Sequence, residues 1–123
     1  MSKEETAKKY DLEERTACLG ENVIDFVGML PKNEITFPII NQLVRAGTAV
    51  GANYCEADCA ESKKDFEHKM GICNKEAKET KHWLRMVGRA VPNQVEIARK
   101  LWKEAHELNL IFVTIIKNSR SKP

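Results

Sequence analysis

Between Ser62 and Ala90 the residues Phe66, Met70, Cys73, Ala77, Thr80, Leu84 and Val87 advance by alternating steps of four and three without a break. That spacing holds one stripe on one side of an α-helix and contradicts the alternation of a β-strand. A helix of that length hides its stripe by packing on other elements, so the rest of the chain must supply partners. It supplies helices. Leu12, Leu19, Val23, Phe26, Val27 and Leu30 form a second stripe, opened by Asp11 with Glu14 as a capping box and stopped before Pro31. Ile40, Leu43, Gly47, Val50 and Tyr54 follow in a helix that starts near Thr36 and tolerates Pro38 in its first turn. Ser62 with Asp65 caps the segment that carries the seam. Pro92 and Asn93, with Glu96 three residues on, restart the chain toward Val95, Ala98, Leu101, Ala105, Leu108, Phe112 and Ile115.

The spacing therefore predicts helices over about 12–30, 37–57, 63–89 and 93–117, joined by short connections that favour antiparallel neighbours. The expected fold is all-α, an antiparallel up-down-up-down four-helix bundle. With 123 residues the chain is one domain, 1–123, with one core. The polar stretch from Met1 to Asp11 contains neither a secretory signal pattern nor an apolar anchor, which makes the cytoplasm the expected location and gives the membrane no role. Cys18, Cys55, Cys59 and Cys73 read as small apolar residues in a reducing compartment.

Charge distribution adds more than total charge, which is only +2. From Thr36 to Cys55 the only charged side chain is Arg45, although a surface helix normally turns a charged face to water. Gln42, Arg45, Ala49, Ala52, Asn53 and Glu56 share the face opposite Leu43, Val50 and Tyr54. Small residues among amides and one guanidinium suit a covered polar network. Arg45 and Glu56 lie roughly 16 Å apart along the helix and cannot pair with each other. The third helix carries Asp65, Ile72, Glu76, Glu79 and Trp83 in one sector, and these are the expected partners across a subunit interface. The alternative is that Arg45 bonds Glu76 or Glu79 inside the same bundle, with Trp83 filling a core edge.

Another sector of the third helix holds Lys64, His68, Gly71, Lys75, Lys78, His82, Arg85 and Arg89, nearly opposite the seam. Residues 1–61 contain 6 basic and 11 acidic side chains (net −5), whereas residues 62–123 contain 14 and 7 (net +7). Lys64, Lys75, Lys78, Arg85 and Arg89 are the expected contacts to the phosphates of RNA or DNA, read without base specificity. A solvated helix face is the plainer reading of the same charges.

Catalytic chemistry finds little support. A di-metal bundle needs Glu-x-x-His on two helices, and only Glu79 to His82 fits. Cys55 and Cys59 could share an ion with Cys73 or His68, but zinc-type spacing is absent, and no metal or cofactor is expected. No phosphate-cradling glycine loop or nucleophile elbow occurs. The expected role is not enzymatic.

Four stretches carry a resemblance: Gln42-Leu43-Val44-Arg45-Ala46; Val50-Gly51-Ala52-Asn53-Tyr54-Cys55-Glu56-Ala57; Ser62-Lys63-Lys64-Asp65-Phe66; and Lys75-Glu76-Ala77-Lys78-Glu79-Thr80 with Trp83-Leu84. Together they resemble the 23S rRNA intervening-sequence family of four-helix-bundle proteins, over about Asp11 to Leu110. The resemblance implies a small bacterial protein that forms a homopentameric ring. It also implies that Gln42, Arg45, Asn53, Glu56, Ser62, Glu76 and Glu79 are the characteristic polar positions. A more distant similarity joins the family to the accessory protein of diversity-generating retroelements, which implies nucleic acid and a reverse transcriptase, or another acidic protein, as partners. Ala49 and Cys55 depart from the family pattern, where a serine and a longer side chain are common. The family name records gene location and supplies no reaction.

Overall fold

A computed structural model describes residues 10–123 and contains four α-helices: α1 (Leu12–Gly28), α2 (Thr36–Asp58), α3 (Lys63–Ala90) and α4 (Val95–Arg120), with a 3-10 turn at Pro92–Gln94 before α4. No strand occurs among the described residues. The chain is an all-α antiparallel bundle in which α2 packs on α1 and α3, α4 packs on α3, and α1 meets α4 over a smaller contact than these neighbours share. One apolar cluster draws on all four helices, with Phe26, Leu43, Tyr54, Met70, Leu84, Leu108 and Phe112 essentially inaccessible. Each such side chain contributes roughly 1.5–3 kcal/mol of burial. The seam read from the sequence is the buried side of α3: Phe66, Met70, Cys73, Ala77, Thr80, Leu84 and Val87 all face inward. Thr80 fits there because its hydroxyl donates to Glu76 O at 2.8 Å.

Helix ends explain where the bounds moved. Asp11 does not cap α1: its φ of 50° is left-handed and its side chain accepts no backbone N–H, so the expected box with Glu14 does not form. α1 stops at Gly28 rather than Leu30. Lys32 Nζ donates to Val27 O and Leu30 O at 2.5 and 2.8 Å, placing a cation at the C-terminal end of the helix, where Val27 O also accepts from Leu30 N at 3.2 Å. The cap of α2 lies earlier than Thr36 suggests. Asn33 Oδ1 accepts from Thr36 N at 3.0 Å while Thr36 Oγ1 accepts from Asn33 N at 3.0 Å, a reciprocal box with Thr36 in the role usually held by Glu. Ser62 caps α3 as expected, accepting from Asp65 N at 3.0 Å.

α1 and α2 approach closely through small residues. A Cβ on Gly47 would lie 3.0 Å from Val23 Cγ2, and one on Gly51 would lie 3.3 Å from the Thr16 backbone. At the other seam of the bundle, Arg15 of α1 makes a forked pair with Glu104 of α4 (2.7 and 3.2 Å) and reaches Glu107 at 3.1 Å. The Glu104 hydrogen bond is the main reason that the Arg15 guanidinium is held above its usual value. No helix among the described residues is long and apolar enough to cross a membrane.

Candidate functional site

The polar face of α2 finds its partners on α3 of the same chain. Arg45 Nη1 lies 3.2 Å from both oxygens of Glu76, Nη2 meets Glu79 Oε2, and Nε donates to Gln42 Oε1 at 3.1 Å. Glu76 is buried, and that guanidinium is its charged partner. Glu56 pairs with Lys69 at 2.9 Å and raises the ammonium's affinity for its proton. Asn53 Nδ2 donates back to Ala49 O at 2.8 Å. Packing between α2 and α3 thus meets the demand that the sequence reading placed across a subunit boundary, and the ion pairs by themselves do not require a second copy. Ile72 is half-buried. Trp83 packs against the core with its ring edge-to-face on His82 at 4.8 Å, rather than standing exposed. Its Nε1 is buried and meets no acceptor among the described residues.

What the ion pairs leave uncovered is the rest of that face. Phe37, Asn41, Gln42, Ala52, Cys55 and Glu56 are exposed along α2, and Ile24 of α1, 51% exposed, lines one groove with Ala52 and Cys55. At the end of the bundle formed by the α1–α2 connection, Met29 and Ile35 add further exposed apolar surface.

α3 presents the basic ridge to solvent. Lys64, Lys75, Lys78, Arg85 and Arg89 are all exposed, as are His68 and His82. The five cations span roughly 38 Å along the helix. None of them pairs with a carboxylate among the described residues, whereas Arg45 and Lys69, nearer the helix contacts, are both paired. Fixed positive charge without local neutralisation is what a polyanion meets favourably.

α4 widens this surface with residues the sequence reading did not single out. Trp102 stacks on His106 with ring centroids 4.9 Å apart, and Lys81 Nζ sits 5.3 Å from the Trp102 ring and 3.0 Å from His106 Nδ1. Burial first, and then the like charge of Lys78, hold the Lys81 ammonium below its ordinary value. Arg99 pairs with Glu96 one turn away at 3.1 Å, an exposed bridge of small worth. The available signal was Trp102 and His106 four residues apart on the polar side of α4, which places both rings on one face.

The four cysteines are free; Cys55 and Cys59 are exposed and Cys73 is buried. Among the described residues no three His, Cys, Asp or Glu side chains converge to hold an ion.

The sequence pattern of the 23S rRNA-intervening sequence protein family matches residues 8–114. Among solved structures, the chain is similar to a protein of unknown function from the S23 ribosomal protein family of Bacteroides thetaiotaomicron. The two are 29% identical and superpose with a TM-score of 0.79, covering 86% of this chain and 98% of the other. No curated protein matches the chain.

Proposed function

The chain belongs to the 23S rRNA-intervening sequence protein family, and from that premise we propose that it acts by binding rather than by catalysis, as a self-associating bundle that holds nucleic acid by its phosphates. The observation that carries this reading is the row of five exposed cations on α3, Lys64, Lys75, Lys78, Arg85 and Arg89, left without carboxylate partners among the described residues. A solvated helix usually interleaves opposite charges; this face does not. The remaining uncovered surface of α2, with Phe37 and with Ala52 and Cys55 beside Ile24 of α1, is the face assigned to contact with further copies. The family resemblance favours a closed homopentamer. Such a ring would repeat the ridge around its axis and multiply weak phosphate contacts into useful avidity.

Phosphate contacts of this kind release counterions, so affinity for duplex or single-stranded oligonucleotides should fall steeply as salt rises. Each Lys→Ala change at Lys64, Lys75 or Lys78 should lower the slope of log affinity against log salt by about 0.9 for duplex. Combined Lys64→Glu, Lys75→Glu, Lys78→Glu and Arg89→Glu should abolish binding. Affinity independent of salt, or unchanged in the fourfold variant, rejects the reading. If nuclease-treated lysate still yields a complex with an acidic protein such as a reverse transcriptase, and purified nucleic acid does not bind, a protein partner replaces the polyanion.

A further inference from the structure

Between the C-terminal half of α3 and the start of α4 lies an open cleft of about 280 Å³. Its apolar walls come from Gly88, Val95 and Ala98, and Arg85, Arg99 and Trp102 line its rim. We propose that this cleft receives an unpaired base of a single-stranded nucleic acid, stacked against Trp102, with the flanking phosphates held by Arg85 and Arg99. The proposal rests on the nucleic-acid reading above and names the strand type and the side chains that would select it.

Three observations converge on that occupant. The volume stands at the small end for ligand pockets and suits one planar ring system. Gly88 keeps it open, because a Cβ there would already lie 3.3 Å from Val95 Cγ2, and any larger side chain would compete for the space. Trp102 is 36% exposed, and its stack on His106 fixes the plane of the indole in advance. A ring held in place loses little freedom when a base stacks on it, which is how sequence-tolerant single-strand sites gain affinity.

Charge then distinguishes a nucleotide from a purely apolar ligand. Arg85 makes no ion pair or side-chain hydrogen bond among the described residues, and Arg99 is held only by the exposed carboxylate of Glu96 at 3.1 Å. A base with a phosphate on each side offers both guanidinium groups an anionic partner, which an apolar ligand does not. Lys81, beside Trp102, adds a third positive group at the same end of the ridge. A duplex keeps its bases paired and stacked on one another, so it can reach the ridge but cannot enter the cleft.

The test compares a fluorescein-labelled oligothymidylate with a labelled duplex of equal length, read by anisotropy at low salt on the full chain. Trp102→Leu keeps apolar bulk and removes the ring, whereas Trp102→Phe keeps a ring; circular dichroism confirms that both variants are helical. Single-strand affinity should fall about five- to hundred-fold in Trp102→Leu and be largely retained in Trp102→Phe, with duplex affinity within about twofold of the parent. Unchanged single-strand affinity in Trp102→Leu, or an equal loss for both probes, overturns the cleft and leaves the ridge standing. Parent protein that binds duplex alone does the same. Parent protein that binds neither probe overturns both readings.

Discussion

Cys73 is fully buried on the inner side of α3, where its thiol donates to Val50 O at 3.7 Å. Burial pushes its pKa from an ordinary 9.0 up to about 12. Tyr54, next on the same core, is pushed to about 12 mainly by burial and then by Asp58. In both cases the folded chain keeps a proton that the unfolded chain releases. Above pH 9 the native state therefore binds more protons than the unfolded state, and stability falls as pH rises toward 12. The Cys73 contribution should approach about 1 kcal/mol per pH unit in that window, with Tyr54 joining from about pH 10. Urea unfolding at a series of alkaline pH values reads this as a slope. Cys73→Ala should lower stability at neutral pH and flatten the slope above pH 9; an unchanged slope would place the thiol in contact with water.

At the scale of helices, the same substitution is expected to have opposite signs at two glycines. Gly47 of α2 faces Val23 of α1, whose side-chain carbons lie 3.0 to 3.3 Å from the position of an added Cβ. Val23 is fully buried and β-branched, so it has no alternative rotamer to retreat into. Gly47→Ala should cost about 1–2 kcal/mol once the overpacking penalty is set against the gain in helix propensity. An added Cβ on Gly71, inside α3, would have no neighbour within 4 Å. Gly71→Ala should stabilise by about 0.5–1 kcal/mol, because only the backbone entropy term remains. Denaturant midpoints at constant m-value check both, and a stabilising Gly47→Ala would mean that α1 does not approach α2 as closely as described. These helices were legible because their stripes are long: the α3 seam alone establishes helix, length and buried side. Their ends were less so. Asp11 has the right chemistry for a cap but a left-handed backbone, and the working cap of α2 pairs Asn33 with Thr36, a combination that the Ser/Thr-x-x-Glu/Gln pattern does not flag.

For the whole molecule, sequence reading found the unusual faces but not all of their partners. A lone Arg45 on α2 announces that something acidic must meet it; only the helix packing decides that Glu76 and Glu79 of the same chain do so. The basic ridge was visible as a periodicity on one helix; the spacing of Trp102 and His106 puts both rings on one face of α4, but the cleft beside Trp102 requires two helices to be brought side by side. The two remaining faces differ in physical character, which allows one titration to separate them. The α2 face has few charges and several exposed apolar or small residues, Phe37 and Ala52 among them, so contacts between copies there should be insensitive to salt or strengthened by it. The ridge should respond in the opposite sense. Light scattering of the complex with a short oligonucleotide should then show release of the nucleic acid between about 0.1 and 1 M salt. The protein mass should stay at a multiple of 14.0 kDa, about 70 kDa for a pentamer. In the proposed ring, Phe37→Asp with Ala52→Asp should reduce it to a single copy, because every repeat of the contact would have to bury carboxylates that have no partner there. A mass that falls to 14.0 kDa merely on adding salt would mean that ion pairs hold the copies together, and the α2 face would lose its assignment.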